Sequence, residues 1–139
     1  AASMALGTRP LMPASVLLVE EHVELRSALR DWLLTTFPPL ELCEARSLDE
    51  ALLAAERAKP DLALIDFELP GPNGIEAARA LRRRHPRCRI VVMSAGSSEA
   101  LRIAALDAGA DALLGKRELA TGLLPILSGL AGPAASLRI

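Results

Sequence analysis

Asp66 stands at the end of an apolar run, residues 62–65, and is followed by the turn-forming Leu69-Pro70-Gly71 and Asn73-Gly74. A strand that stops on an acid and breaks into a Pro/Gly loop displays that acid at a sheet edge. Three other apolar runs behave alike. Residues 16–19 end on Glu20-Glu21, residues 90–93 end on Ser94, and residues 112–114 lead through Gly115 to Lys116. Carboxylates crowded together repel unless they share a cation, and an oxygen-rich set of this kind suits Mg²⁺, which keeps several waters. With a metal and a lysine beside it, a carboxylate is equipped to attack a phosphoryl group, and a serine hydroxyl can donate to one of that group's oxygens.

Those residues meet only if the runs are neighbouring parallel strands. The intervening segments have the periodicity this requires. Leu25, Ala28, Leu29 and Trp32 fall on one helical face, and Phe37-Pro38-Pro39 stops that helix. Residues 40–45 form a short edge-strand candidate. Ser47 with Glu50 has capping-box spacing at the start of a second helix, closed by Pro60. A third helix follows Asn73 and ends at His85-Pro86. Ser98 caps a fourth, with Gly109 as its stop. A fifth covers about 121–130, with Pro125 in or just after its first turn, where proline does least damage.

Strands this uniformly apolar are covered on both faces, so the expected fold is α/β: a five-stranded parallel sheet with helices on both faces, flavodoxin-like, in the order 2-1-3-4-5. In that order Asp66 is central, flanked by the glutamates and Ser94. Lys116 lies two strands away, roughly 9–10 Å, within reach of a lysine that leans back.

The chain has 139 residues, 51% hydrophobic and 24% charged, with a net charge of -1. That composition points to one folded domain and gives no global pull toward nucleic acid or a membrane. The only aromatics are Trp32, Phe37 and Phe67, which disfavours base-stacking surfaces. The basic run from Arg82 to Arg87 reads as charge complementing a helix C-terminus. Cys43 and Cys88 lack metal-ligand spacing and read as two buried free thiols. Residues 1–14 read as a disordered or tag-derived N-terminus, 15–131 as the domain, and 132–139 as a tail or the start of a linker.

The motifs LLVEEH, LIDFELPGPNGIEAAR, VVMSAG and DAGADALLGK together resemble the receiver domain of bacterial two-component response regulators, most like receivers fused to helix-turn-helix output domains. The resemblance implies that Asp66 accepts a phosphoryl group from a sensor histidine kinase in the cytoplasm. It implies Mg²⁺ held by Glu21, Asp66 and the backbone carbonyl of Glu68, with Glu20 acting through water. Ser94 and Lys116 would bind the phosphate. It also implies self-phosphorylation and autodephosphorylation rather than turnover of a separate substrate. Output would pass through a homodimer face on the fourth helix, last strand and last helix. Ile103 and Leu106 are candidates for it, because they point away from that helix's core stripe of Leu101, Ala104, Ala105 and Ala108. No direct nucleic-acid binding by this segment is expected.

Three features depart from the family pattern. Glutamates occupy the acidic pair, and the extra methylene displaces each carboxylate by about 1.5 Å. Leu113 replaces the switch aromatic three residues before the lysine. Arg117 stands where proline is frequent. These departures support a second reading, a phosphorylation-independent pseudo-receiver that works as an interaction module. A third, an aspartyl-nucleophile phosphohydrolase, rests on the faint Asp-x-Asp likeness of Asp66-Phe67-Glu68.

Overall fold

The computed structural model describes residues 15–37 and 39–131, with side chains through 126. The two terminal segments assigned above, 1–14 and 132–139, lie outside the described residues.

Strands and helices alternate: β1 (Ser15–Val19), α1 (Val23–Thr36), β2 (Glu41–Ala45), α2 (Leu48–Ala58), β3 (Leu62–Asp66), α3 (Gly74–Arg84), β4 (Arg89–Ser94), α4 (Glu99–Asp107), β5 (Ala112–Gly115), a 3₁₀ turn (Lys116–Glu118) and α5 (Leu119–Ala131). All pairings are parallel, in the order β2-β1-β3-β4-β5. This is the expected architecture, with β3 in the middle.

The apolar runs are continuous because the sheet is covered on both sides, and side chains alternate between the two covers. Leu17, Val19, Ala63, Ile65, Ile90 and Val92 pack with Ala51 and Ala55 of α2, Ala77, Ala78 and Leu81 of α3 and Ala105 of α4. Val16, Leu18, Leu62, Leu64, Val91 and Met93 face the other way, onto Leu29 and Leu33 of α1 and Leu119 and Leu123 of α5. Small alanines on α2 and α3 let those helices approach the sheet closely.

Local details depart from expectation in four places. The buried stripe of α1 is centred on Leu29 and Leu33, while Ala28 is exposed and Trp32 is half-buried, edge-on to Phe37 at 5.9 Å. Ser47 does accept the Glu50 N–H, but the Glu50 carboxylate accepts from the Arg46 N–H and guanidinium instead of closing a box onto Ser47. The reciprocal box forms on α3, between Asn73 and Glu76. Finally, α5 starts at Leu119, whose side chain is buried, so Pro125 falls inside the helix and not in its first turn. Cys88 is buried as expected, whereas Cys43 is only half-buried.

Two close approaches hold the loop after β3. Gly74 donates its N–H to the Phe67 carbonyl at 2.8 Å. A Cβ on Gly74 would meet the Asp66 carbonyl oxygen and sit 2.6 Å from the Phe67 Cα, so only glycine fits. Gly71 supplies the turn itself, with φ of 74°.

At the opposite end of the sheet, Arg82 of α3 is a clamp. Its Nε donates to the Gly109 carbonyl at 2.9 Å, Nη1 to the Pro86 and Cys88 carbonyls at 2.7 Å each, and Nη2 to Asp111 Oδ2 at 2.9 Å. The same Asp111 oxygen accepts the Ile90 N–H at 2.9 Å. One guanidinium therefore joins the end of α3, the start of β4 and the turn after α4. The first arginine of the basic run is thus committed to tertiary structure, beyond any part it has in complementing the helix dipole.

Candidate functional site

Parallel strands align their C-terminal ends on one rim, and the register brings three charged side chains together there. Val19 lies beside Ala45 on β2 and Ile65 on β3, so Glu20 follows it onto the rim between those strands. Asp66 pairs with Met93, and Ser94 pairs with Gly115 just before Lys116. Glu20, Asp66 and Ser94 are the buried polar residues of the described core.

Lys116 Nζ lies 3.0 Å from Asp66 Oδ1 and 3.4 Å from Glu20 Oε1. The lysine leans back across β4 as the strand spacing required. Asp66 Oδ1 also accepts the Glu68 N–H at 3.2 Å, which ties the acid to its own loop. Glu20 Oε2 accepts the His22 N–H at 3.2 Å, but Oε1 has no hydrogen bond and only the longer ionic contact with Lys116.

Burial is the main force on the Glu20 carboxyl and raises it above the ordinary glutamate value, and the neighbouring Asp66 charge adds to the rise. The His22 N–H and Lys116 oppose it. Burial works against the Lys116 ammonium, but Asp66, by hydrogen bond and charge, and then Glu20 outweigh it, and the lysine titrates above its usual value.

The structure thus joins Glu20, Asp66 and Lys116. It does not bring Glu21 or Ser94 into direct contact with them. Glu21 is exposed, with its carboxylate engaged by no described residue. Ser94 donates its hydroxyl to the Gly96 carbonyl. Leu113 is half-buried, pairs with Val92 and packs on the core shared with α4. Glu68 is exposed on the loop beyond Asp66.

Sequence reasoning missed Arg26. Its Nη1 donates to the Glu20 carbonyl at 2.8 Å and the Glu21 carbonyl at 3.3 Å, and its Nε to Glu44 Oε1 at 2.9 Å. The signal available was a cation in the first turn of a helix, where the macrodipole disfavours it.

The donors at this rim fit a hard divalent cation. Glu20 Oε1 is a buried carboxylate oxygen without a hydrogen bond, and such an acceptor is satisfied by a cation. Among the described residues no cluster of three acid, histidine or cysteine side chains forms a ready cage. Mg²⁺ asks for less than that, because it takes one or two carboxylates and keeps waters.

Residues 16–127 match the response regulator receiver domain family. The chain belongs to this family. The receiver domain is 39% identical over 101 residues to the transcriptional activator protein ExaE of Pseudomonas putida, a match covering 73% of this chain and 47% of that protein. It is 42% identical over 102 residues to the KDP operon transcriptional regulatory protein KdpE of Escherichia coli, covering 73% and 44%. The receiver domain therefore spans about half the length of these relatives. Among solved structures, it resembles a LuxR-family two-component response regulator from Aurantimonas, with 31% identity, a TM-score of 0.75, and 84% and 86% of the two chains covered. The BeF3-activated receiver domain of RstA from Klebsiella pneumoniae gives 26% identity and a TM-score of 0.74, with 90% and 99% covered.

Proposed function

We propose that Asp66 accepts a phosphoryl group from a sensor histidine kinase and that the resulting charge switches an association face of the domain. The observation that carries this reading is the pairing of a buried aspartate with a lysine held 3.0 Å away on the rim of the central strand.

An Asp66 carboxylate oxygen attacks the phosphorus of a phosphohistidine. The P–N bond breaks, its electron pair leaves with the imidazole, and an acyl phosphate remains on Asp66. Lys116 is already placed to pass its ion pair from the carboxylate to the phosphoryl oxygens. Ser94 is two residues from the carbonyl that now takes its hydroxyl and can donate to the phosphoryl group instead. The residues that would hold Mg²⁺ are Glu21 and Asp66 through their carboxylates and Glu68 through its carbonyl, with Glu20 acting through water. The ion would neutralise charge on the transferred group.

Phosphorylation adds about 1.5–2 negative charges at the rim. The face that answers includes α4, where Ile103 is 56% and Leu106 37% exposed, together with β5 and α5. We assign it to self-association, and we leave nucleic-acid contact to other parts of a longer regulator. We place the domain in the cytoplasm and outside the membrane, in keeping with the absence, among the described residues, of a helix long and apolar enough to cross one. Its chemistry would be confined to its own phosphorylation and dephosphorylation.

The test is incubation with Mg²⁺ and acetyl phosphate or beryllofluoride, followed by intact mass and sedimentation. Wild type should gain one phosphoryl group from acetyl phosphate and shift toward dimer with either reagent; Asp66→Asn should do neither. Ile103→Lys/Leu106→Lys should be phosphorylated yet stay monomeric. A wild-type domain that binds its partners identically with and without Asp66 would favour the pseudo-receiver reading, for which the glutamate pair and Leu113 speak.

A further inference from the structure

We propose that Arg26 is a positioning residue that fixes the backbone of the acidic loop, so that the Glu20 and Glu21 side chains are presented to the cation site. This rests on the phosphoryl-accepting reading above.

Three contacts of one guanidinium carry the argument. Nη1 bridges the carbonyls of Glu20 and Glu21, at 2.8 and 3.3 Å, so a single nitrogen spans the peptide unit on which both acids hang. Nε is held at 2.9 Å by Glu44 on the edge strand β2, and Arg30, one turn along α1, approaches the other Glu44 oxygen at 3.7 Å. The β2 edge braces the loop a second time, because the Glu20 N–H donates to the Ala45 carbonyl at 2.9 Å. The loop is therefore gripped through its backbone by β2 and Arg26, so neither carboxylate is used to hold it to them: Glu20 faces Lys116, and the Glu21 carboxylate meets no described residue.

The placement of Arg26 also argues for a task. A cation in the first turn of α1 opposes the helix macrodipole. Arg26 is nevertheless largely buried, at 14% side-chain exposure, whereas Arg30 beyond it is 38% exposed. Simple neutralisation of an acidic rim would need no fork. Forking across two carbonyls and a carboxylate is specific to a guanidinium, since a lysine offers one compact donor group.

The experiment compares wild type with Arg26→Lys, Arg26→Gln and the control Arg30→Gln in the whole domain. Mg²⁺ affinity is read by isothermal titration, and amide exchange is followed at His22, whose N–H caps Glu20 Oε2. Both Arg26 variants should weaken Mg²⁺ about tenfold, as loss of an outer-shell support does. They should also speed exchange at His22 while amides inside β3 and β4 keep their protection, and Arg30→Gln should match wild type. Full retention of affinity and His22 protection in Arg26→Lys would mean that charge alone matters and would overturn the proposal. So would an Arg26→Gln variant that melts earlier but binds Mg²⁺ as wild type. If wild type itself binds no Mg²⁺, the phosphoryl-accepting reading fails, and the exchange rates at His22 alone decide whether Arg26 fixes the loop.

Discussion

Lys116 Nζ stands between two buried carboxylates, 3.0 Å from Asp66 and 3.4 Å from Glu20. One cation thus serves two acids, and Asp66, the proposed phosphoryl acceptor, is ion-paired in the unphosphorylated domain. Removing one partner of a buried ion pair leaves an uncompensated charge and typically costs about 3–5 kcal/mol. Lys116 is 21% exposed, so solvent offsets part of this. Lys116→Gln should therefore lower stability by about 2 kcal/mol. Adding Glu20→Gln should recover at least half of that loss. Urea denaturation of the single and double variants checks both statements.

Glu21 bears on the proposed Mg²⁺ site rather than on stability. If its extra methylene is what carries the carboxylate past the position Mg²⁺ prefers, shortening it should help. Glu21→Asp is expected to tighten Mg²⁺ binding about tenfold, equivalent to about 1.4 kcal/mol. Because the side chain is exposed and makes no described contact, the melting temperature without metal should not move. Isothermal titration with Mg²⁺, beside a metal-free melt, reads out both.

Gly74 couples the backbone of Asp66 to α3. A methyl group there would press on the Asp66 carbonyl and approach the Phe67 Cα at 2.6 Å, and backbone atoms cannot swing aside as a flexible side chain can. Gly74→Ala should cost about 2–3 kcal/mol, in the range of overpacked cores. It should also slow phosphorylation by acetyl phosphate by more than the loss of folded protein explains. Initial rates normalised to the folded fraction would show this.

The two thiols should differ in chemistry and in their pH signature. Burial pushes Cys88 up to about 12 from an ordinary 9.0, while half-buried Cys43 is also raised by burial. A thiol whose folded value is raised contributes stability below its unfolded value, and loses that contribution as pH rises toward the folded one. Between pH 9 and 12 the unfolded chain ionises Cys88 and the folded one does not, so stability should fall by up to about 1.4 kcal/mol per pH unit. Cys88→Ala should flatten that slope. In native protein a thiol reagent should label Cys43 well before Cys88.

Strands were the most legible part of the sequence, because helices on both sheet faces demand apolar residues at every strand position and leave an unbroken run. The rim was legible for the same reason: each run ended on a polar residue. Which way those residues turn was not. Glu20 and Glu21 are equivalent by type and adjacency, and only the registry with β2 and β3 decides that Glu20 is buried against Lys116. Pro125 lies deeper in its helix than expected because α5 begins before residue 121, at the buried Leu119 and after a turn stabilised by Glu118, whose carboxylate accepts the Gly115 N–H. Arg82 and Arg26 escaped because their partners lie on other elements. Arg82 reaches carbonyls and a carboxylate up to 29 positions away, a distance at which local periodicity carries no information.

The Arg82 clamp has a mechanical consequence. It fastens the turn beyond α4 to the ends of α3 and β4 at the pole opposite Asp66, through the Gly109 carbonyl and Asp111. The other end of α4 joins the rim through residues 95–98, all exposed. A helix pinned at one end and tethered at the other by a surface loop behaves as a lever with its fulcrum at Gly109. Any displacement begun at Ser94 would then grow smaller along α4 toward Leu106, and Ile103 would travel farther than Leu106 for the same push at the rim.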